Sequence, residues 1–468
     1  MTARPVVRSV AWLSASHALV LVVGLATAIV IARGGAEDLG RYRFAQAILM
    51  YLVVASDAGL TLLSVREIAR RPADAVRYAG PVLVVRFVLS AVLFGVAATV
   101  VGVSDARDAA PFYLVMFASV FPLSLSLIHV LQGRERLRGV ALVRMVSIAG
   151  AGAIGLVAYL VSGRLVALVV PTVVVGLLVD GVLLLFARHR LGIRLRWGTP
   201  PEWAALLVTG VPFLVTAVAV QLVSNADAVI IGTVRGESQL GLYAAAYVLA
   251  GQTLFLAGPI ASAIYPRFSR LHSTPDRFRE AIRKVFGAIA LFIVPASIGA
   301  ALLADAILGF LYGTDYEVSA PILAVLMGMP LIGFYNVAMS QVLYAAGRQA
   351  SVARIAIIAA VVNVGTNLVL IPSVGLVGAA IAAVLTEVVT ATAYTRTAAP
   401  ITGLAPLRAY LSPFPAAFVM AVGVVLVRVA GLQPLIVFGG VIGTAVYAMA
   451  IVVRPPEVAR RTVDRLIK

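Results

Sequence analysis

The chain has 468 residues, of which 62% are hydrophobic and 12% are charged, and its mean hydropathy is +1.04. A soluble domain is about 45–50% apolar and about 25% charged, so the composition excludes an ordinary soluble protein. The net charge is +17, but the arginines flank apolar runs instead of lining one face, which argues against nucleic acid as a partner. Cysteine is absent, which excludes a disulfide framework and a thiolate metal site.

Apolar runs recur from end to end, and each is long enough to cross about 30 Å of hydrocarbon. We predict an all-α polytopic membrane protein with about fourteen transmembrane helices. The first run is too long for the apolar part of a signal peptide, so we expect a retained helix. The predicted spans are residues 10–31, 43–64, 79–101, 111–131, 142–162, 165–187, 204–231, 240–264, 286–308, 319–345, 354–372, 375–395, 409–430 and 434–453.

Basic residues are concentrated on alternate loops. If the N-terminus is cytoplasmic, the cytoplasmic segments hold 29 of the 37 Lys and Arg residues, the outer loops hold 7, and Arg86 lies inside a span. Cytoplasmic loops of membrane proteins are enriched in Lys and Arg, so this pattern predicts that both termini are cytoplasmic. We therefore expect an even number of spans and a multi-pass protein of the plasma or inner membrane.

A weak internal repeat relates two parts of the chain at an offset of 201 residues. Residues 39–42 (LGRY) recur as residues 240–243 (LGLY), and Arg66 corresponds to Arg267. Six spans separate the matches, so the two sets share one orientation, as expected for a pseudo-twofold axis normal to the membrane. The predicted domains are an N-lobe of spans 1–6 at residues 1–190, a C-lobe of spans 7–12 at residues 191–400, and a C-terminal helix pair with a cytoplasmic tail at residues 401–468.

Two helix starts can be read from local signals. In the joint between the lobes, residues 188–203, Thr199 and Glu202 match a capping box with proline at the first helical position. This pattern predicts that a new helix opens the C-lobe. Further along, Thr274 and the apolar face that follows it to Phe286 predict a short amphipathic helix in the lipid interface.

Several motifs, taken in their order and spacing, resemble the oligosaccharide flippase branch of the multidrug/oligosaccharidyl-lipid/polysaccharide exporter superfamily. The resemblance covers most of the chain, roughly residues 5–400. The motifs are Ile31–Gly34 (IARG), Leu39–Tyr42 (LGRY), Asp57–Leu60 (DAGL), Val65–Glu67 (VRE), Asn225–Asp227 (NAD), Gly241–Tyr247 (GLYAAAY), Tyr265–Arg267 (YPR) and Asn363–Gly378.

The resemblance implies two six-helix lobes around a central cavity that opens alternately to each side of the membrane. It also implies a polyprenyl-diphosphate-linked oligosaccharide as substrate, moved from the inner to the outer leaflet, with glycosyltransferases or a polymerase as candidate partners and no cofactor. Related lipid II flippases have fourteen spans, whereas many O-antigen flippases have twelve, so the subfamily stays open. Lipid II flippases carry cavity arginines on the first span, where this chain has His17 instead, which argues against lipid II.

Charges within spans are rare and usually face a cavity or a partner. Five ionisable residues within the predicted spans stand out as candidates: His17, Asp57, Arg86, Asp180 and Glu387. All except Asp180 lie nine residues from a flanking cytoplasmic arginine. At 1.5 Å per residue, these four share a layer about 13 Å into the membrane, and Asp180 lies closer to the inner surface.

Each ionisable residue has a functional and a structural interpretation. Arg86 is the first candidate for contact with the diphosphate, and its alternative is an ion pair with Asp57, which would act as a gate if substrate opened it. His17 is a candidate phosphate contact or a packing residue. Asp57, Asp180 and Glu387 are candidates for ion coupling or gating, with a helix–helix hydrogen bond as the alternative.

Amide side chains in the spans suit sugar hydroxyls, and they equally suit hydrogen bonds between helices. The sugar-contact candidates are Gln46, Gln252, Asn336 and Asn363.

Two other functions remain as alternatives to a flippase. The first is a cation-coupled multidrug or metabolite antiporter of the same fold, against which an arginine inside a span argues. The second is a membrane glycosyltransferase or polymerase, but the outer loops are short and contain no paired carboxylates. The chain has no P-loop motif, so we do not expect ATP as a direct energy source, and we predict no catalytic residues and no metal site.

Overall fold

The computed structural model describes residues 3–430 apart from 105–106, 135–138, 140–141, 144, 191 and 193–194, with side chains from Ala18 onwards except that of Arg107. Every regular element in these ranges is helical, which confirms the all-α class. The helices are α1 (Ala3–Gly34), α2 (Ala36–Asp57), α3 (Leu60–Arg70), α4 (Ala75–Val103), α5 (Ala110–Ala118), α6 (Val120–Leu125), α7 (Ile128–Gly133), α8 (Ala151–Ser162), α9 (Leu165–Arg190), α10 (Pro200–Arg235), α11 (Glu237–Phe255), α12 (Ala257–Leu271), α13 (Pro275–Leu302), α14 (Ala304–Tyr312), α15 (Ala320–Leu326), α16 (Gly328–Ala345), α17 (Gln349–Val374), α18 (Leu376–Thr402), α19 (Ala405–Leu411) and α20 (Phe414–Val429).

Membrane-spanning helices account for most of the described chain. Eleven helical segments there are long and apolar enough to cross a bilayer, and the bent pair α2–α3 makes a twelfth. Helix α1 coincides with the first predicted span, so thirteen of the predicted spans have a helical counterpart. The last one, residues 434–453, lies outside the described residues, so the total of fourteen stays a prediction.

The chain forms two compact units, residues 1–241 and residues 242–468. Within the first unit, α2 packs against α1, α4 and α10. Helix α10 follows the predicted joint between the lobes, yet its packing places it in the first unit. The joint itself has the expected local structure: the backbone N–H of Thr199 donates to Glu202 Oε2 at 2.8 Å, and α10 starts at Pro200.

The second span is broken between α2 and α3. Ala58 and Gly59 both have left-handed backbone conformations, with φ of 49° and 76°, and the two helices meet at a bend of 47°. Gly210 of α10 packs against this break, where its absent side chain leaves room for the backbone of Ala58. A break of this kind frees backbone polar groups inside the membrane, and they need partners from nearby side chains.

The 201-residue repeat appears as a pair of matching close contacts in the first unit. A Cβ atom on Gly40 would lie 1.7 Å from the carbonyl oxygen of Glu237, and one on Gly241 would lie 1.7 Å from that of Ala36. The offset of 201 residues converts each contact into the other, since it relates Ala36 to Glu237 and Gly40 to Gly241. This local twofold correspondence supports the predicted repeat.

The second unit has its apolar core around α13, α16 and α19. The prediction of a short interfacial helix at residues 274–286 is wrong, because these residues form the first part of the continuous helix α13. Phe278, Ile282 and Phe286 are fully buried, and the ring of Phe286 packs edge-on against Tyr335 at 5.3 Å. The apolar face therefore meets protein neighbours, which the sequence pattern does not distinguish from lipid.

Candidate substrate and coupling site

Arg86 of α4 connects two broken spans in the first unit. Its side chain is 6% exposed, and its Nε lies 3.4 Å from Oδ1 of Asp57, the last residue of α2. Its terminal nitrogens donate to the carbonyl oxygens of Leu123 and Ser126, next to the break between α6 and α7. One guanidinium thus satisfies carbonyl groups at one helix break and pairs with a carboxylate at the other.

Asp57 also has a local structural role at the start of α3. Its carboxylate accepts hydrogen bonds from the hydroxyl of Thr61 at 2.5 Å and from the backbone N–H of Thr61 at 3.3 Å. This is how a carboxylate stabilises free N–H groups in the first turn of a helix. The structure therefore contains the Asp57–Arg86 ion pair that was one of the two interpretations of the sequence.

Asp180 and His129 complete this polar cluster. Asp180 of α9 is buried and lies close enough to Arg86 and to the hydroxyl of Ser126 to interact with both. The imidazole of His129 in α7 is fully buried, and neither ring nitrogen has a hydrogen-bond partner of normal geometry among the described residues. Four ionisable groups from four helices therefore share one buried region.

The chemistry available to this cluster is anion contact and charge compensation. Arg86 Nε has no hydrogen-bond partner among the described residues, and the 3.4 Å separation from Asp57 is long for a charge-assisted hydrogen bond. A buried guanidinium with unused hydrogen-bonding capacity suits a phosphate, and two nearby carboxylates, Asp57 and Asp180, suit a cation or proton that enters in exchange. Within the described residues, no group of three or more His, Asp and Glu side chains has a metal-ligand arrangement.

A second buried arginine was missed by the sequence analysis. Arg43, the first residue of the second predicted span, lies two turns into α2, which starts at Ala36. Arg43 is 8% exposed, and it donates to Asn225 Oδ1 at 2.7 Å and to the carbonyl oxygen of Ser224 at 3.2 Å. Its position at the edge of a predicted span was the available signal.

The second unit contains its own polar contacts between helices. The amide of Asn336 in α16 donates to Glu387 Oε2 at 2.6 Å and to the carbonyl oxygen of Glu387 at 2.9 Å. Asn363 of α17 donates to Thr386 Oγ1 at 3.2 Å and accepts from Asn367 at 3.1 Å. The adjacent residues Thr386 and Glu387 thus connect α18 to two different helices. Each of these side chains takes part in a helix–helix or intrahelical hydrogen bond in this conformation.

Among the described residues, no hydrogen bond joins Gln46 or Gln252 to either cluster. Gln46 on α2 and Gln252 on α11 are half-buried. His17 lies within α1, but its side chain is outside the described part of the structure.

Comparison with known proteins identifies the family. The family model described as "Polysaccharide biosynthesis protein" matches residues 30–321, which is more than half of the chain. Two curated proteins of Haloferax volcanii are similar over a shorter region: the "Probable low-salt glycan biosynthesis flippase Agl15" is 29% identical over 161 residues, and the "Probable flippase AglR" is 27% identical over 164 residues. Each match spans 34% of this chain and 34% of the relative.

Solved structures show the same fold over nearly the whole chain. The lipid II flippase MurJ in an inward closed conformation superposes with a TM-score of 0.76 at 13% identity, covering 94% of this chain and 97% of that protein. An inward-facing MATE family multidrug resistance transporter of the MOP superfamily superposes with a TM-score of 0.62 at 18% identity, covering 84% of this chain and 94% of that one. By its sequence match and its fold, the chain belongs to the polysaccharide biosynthesis protein family and has the architecture of MOP superfamily transporters.

Proposed function

We propose that the protein is a flippase that moves polyprenyl-diphosphate-linked oligosaccharide from the inner to the outer leaflet by alternating access, for the biosynthesis of cell-surface polysaccharide. Membership of the polysaccharide biosynthesis family supports this proposal, as do the flippase names of its two curated relatives. The observation that carries it is the buried, incompletely bonded Arg86, set between two broken spans in a fold shared with a lipid II flippase.

Within this proposal, each class of polar side chain has its own role. Arg86 contacts the diphosphate, because a fixed guanidinium compensates for the hydration that the phosphates lose. The carboxylates carry the coupling ion or form a gate, and the amides contact sugar hydroxyls. The proposed diphosphate and sugar contacts are Arg86, His17, Gln46, Gln252, Asn336 and Asn363, and the proposed coupling or gating residues are Asp57, Glu387 and Asp180.

The setting of the protein follows from the same proposal. It is a multi-pass protein of the plasma or inner membrane with both termini in the cytoplasm. Glycosyltransferases or a polymerase are its proposed partners, docking on the cytoplasmic arginines.

The proposal is tested by the leaflet location of lipid-linked oligosaccharide in cells depleted of this protein. We expect the lipid to accumulate in the inner leaflet, and we expect wild-type protein, but not Arg86→Ala, to relieve the accumulation. Arg164→Ala is the control, because Arg164 is exposed and its replacement removes the same charge as the replacement of Arg86. Both variants must reach wild-type levels in the membrane for the comparison to count. Normal export of glycan in depleted cells would contradict the proposal.

The second candidate is a cation-coupled multidrug or metabolite antiporter, because the fold also matches a multidrug transporter over 84% of the chain. The same depletion separates the two functions. Normal glycan export combined with new sensitivity to small cationic toxins would support the antiporter.

A further inference from the structure

An open cleft of about 180 Å³ lies in the first unit, and none of its lining residues belongs to the Arg86 cluster. It is formed where α3, the first turns of α4, the segment 195–199 and the start of α10 meet. Three arginines from three different segments line it: Arg66, Arg77 and Arg196. The alternation of basic loops assigns this end of the helices to the cytoplasmic side of the membrane.

Close backbone contacts hold one wall of the cleft in place. A Cβ atom on Gly80 of α4 would lie 1.9 Å from the carbonyl oxygen of Arg196, so the segment before α10 lies directly on α4. Gly198 has a left-handed φ of 78°, and Trp203 Nε1 donates to the carbonyl oxygen of Trp197 at 2.9 Å. The backbone that carries Arg196 is therefore fixed relative to α4, and the arginines of the two segments face a common space.

The charges in the cleft are incompletely balanced. Arg66 Nε lies 2.8 Å from Glu67 Oε1, and Arg196 is paired with Glu202. Arg77 has no carboxylate within 4.0 Å among the residues that the structure describes. Three guanidinium groups thus face two carboxylates, which leaves one positive charge for an anion.

The surroundings of the cleft are apolar. Leu63, Pro81 and Leu206 line it together with the arginines. Trp197, next to Arg196 in the chain, is 61% exposed. Val208, two residues after Leu206 on α10, is 73% exposed. Exposed tryptophan is typical of the boundary between lipid and water, and exposed valine is typical of a lipid-facing surface. A ligand here would contact both guanidinium groups and apolar side chains.

We propose that this cleft binds the phosphate group of an anionic phospholipid in the adjacent leaflet. Arg77 is the main contact, Arg66 and Arg196 flank it, and the apolar lining accepts the start of the acyl chains. The bound headgroup bridges α4 and the segment before α10. The inference depends on the predicted orientation only for the name of the leaflet, and it does not depend on the transported substrate.

Tryptophan fluorescence provides a direct test with the full-length protein. The chain has three tryptophans, and in a Trp12→Phe background the other two, Trp197 and Trp203, both flank the cleft. The protein is reconstituted in phosphatidylcholine vesicles that contain increasing fractions of phosphatidylglycerol with brominated acyl chains, which quench nearby tryptophan. We expect saturable quenching, and we expect Arg77→Gln to raise the half-saturating lipid fraction about fivefold, as one arginine–lipid contact warrants.

The matched control is Arg71→Gln, which removes the same charge from an exposed position six residues earlier in the chain but outside the cleft. We expect it to change the half-saturating fraction less than about twofold, because it contributes only to diffuse attraction. Equal effects of Arg71→Gln and Arg77→Gln would overturn the proposal. Displacement of the brominated lipid by low concentrations of inorganic diphosphate would also overturn it, in favour of a soluble phosphate ligand. Quenching is read without transport, so a failure here is distinct from a failure of the flippase proposal.

Discussion

Arg86 and Asp57 form a largely buried ion pair, with side chains 7% and 22% exposed and an Nε–Oδ1 distance of 3.4 Å. Removing one member of a buried pair leaves an uncompensated charge, which costs about 3–5 kcal/mol. For the same reason each charge has a further hydrogen-bond partner at a helix break: Asp57 accepts from Thr61, and Arg86 donates to the carbonyl oxygen of Leu123. These local bonds stabilise the helix breaks, so a change at either residue affects both stability and any role in transport.

A double-mutant cycle separates those two effects. We expect Arg86→Gln and Asp57→Asn each to destabilise the protein, and the double variant to lose less than the sum, with a coupling of about 1–3 kcal/mol. The reason is that the double variant leaves no unpaired charge. Unfolding of the purified protein in detergent measures the stability. If Arg86 binds the diphosphate, transport stays lost in the double variant although part of the stability returns.

The chain offers a matched control for this cycle in the second unit. Arg428 and Asp305 form an ion pair whose side chains are 38% and 39% exposed. Exposed pairs of this kind couple by about 0.2–1 kcal/mol. A coupling between Arg86 and Asp57 no larger than that of the control pair would contradict the buried-pair interpretation, and full transport by the double variant would remove Arg86 from the diphosphate site.

At the residue scale, the sequence predicted that Asp57 and Arg86 lie at one depth, but it did not predict that Asp180 lies beside them. The sequence predicts the same depth for Asp57 and Arg86 because each lies nine residues from an arginine that is predicted to be cytoplasmic, and the two residues are in contact. Asp180 was expected nearer the inner surface, yet it lies close to Arg86. Rise per residue sets depth along a helix, whereas the faces that two distant helices turn toward each other depend on packing.

The close contact between α2 and the start of α11 depends on two glycines at repeat-related positions. We expect Gly40→Ala and Gly241→Ala each to destabilise the protein by roughly 1–3 kcal/mol or more, because the added methyl group would overlap a backbone carbonyl that cannot move aside. Thermal unfolding in detergent measures the effect. The similar size of the two effects would reflect the local twofold correspondence of the contacts.

Gly95 in α4 is the control for this pair, since a Cβ atom there would meet nothing within 4 Å. Replacing a glycine inside an unobstructed helix by alanine stabilises it by roughly 0.5–1 kcal/mol, so we expect Gly95→Ala to have the opposite sign. Unchanged stability of Gly40→Ala would contradict the close contact between Gly40 and the backbone of Glu237.

At the scale of elements, the sequence predicted the positions of helices better than their ends. Helix α10 starts at the proline that follows Thr199, as the capping box indicated, because cap residues act on the adjacent backbone. Helix α13 starts at Pro275, eleven residues before the predicted span at 286. Its first turns are polar, so hydropathy does not include them in the span although they belong to the same helix. Hydropathy marks where hydrocarbon begins, and a helix does not have to end there.

The orientation of the whole molecule can be tested directly because the chain has no cysteine. The basic loops predict that Ser162, at the end of the fifth span, faces outward and that Ser273, after the eighth span, faces the cytoplasm. Both residues are exposed. We expect a membrane-impermeant maleimide to label Ser162→Cys in intact cells, and Ser273→Cys only after permeabilisation. The reverse pattern would invert the topology and would move the Arg77 cleft to the outer leaflet.

The sequence by itself determined that the chain crosses the membrane many times as helices, because hydrocarbon offers no partner for backbone polar groups and each apolar run must satisfy its own. It also identified the candidate polar residues, since charges within such runs are few. Only the tertiary structure decided which of them meet: Arg86 with Asp57 and Asp180, Arg43 with Asn225, and Arg77 across the cleft from Arg196. Those contacts depend on the break after Asp57 and on glycine contacts between helices that are far apart in the chain. Local sequence patterns do not encode either feature.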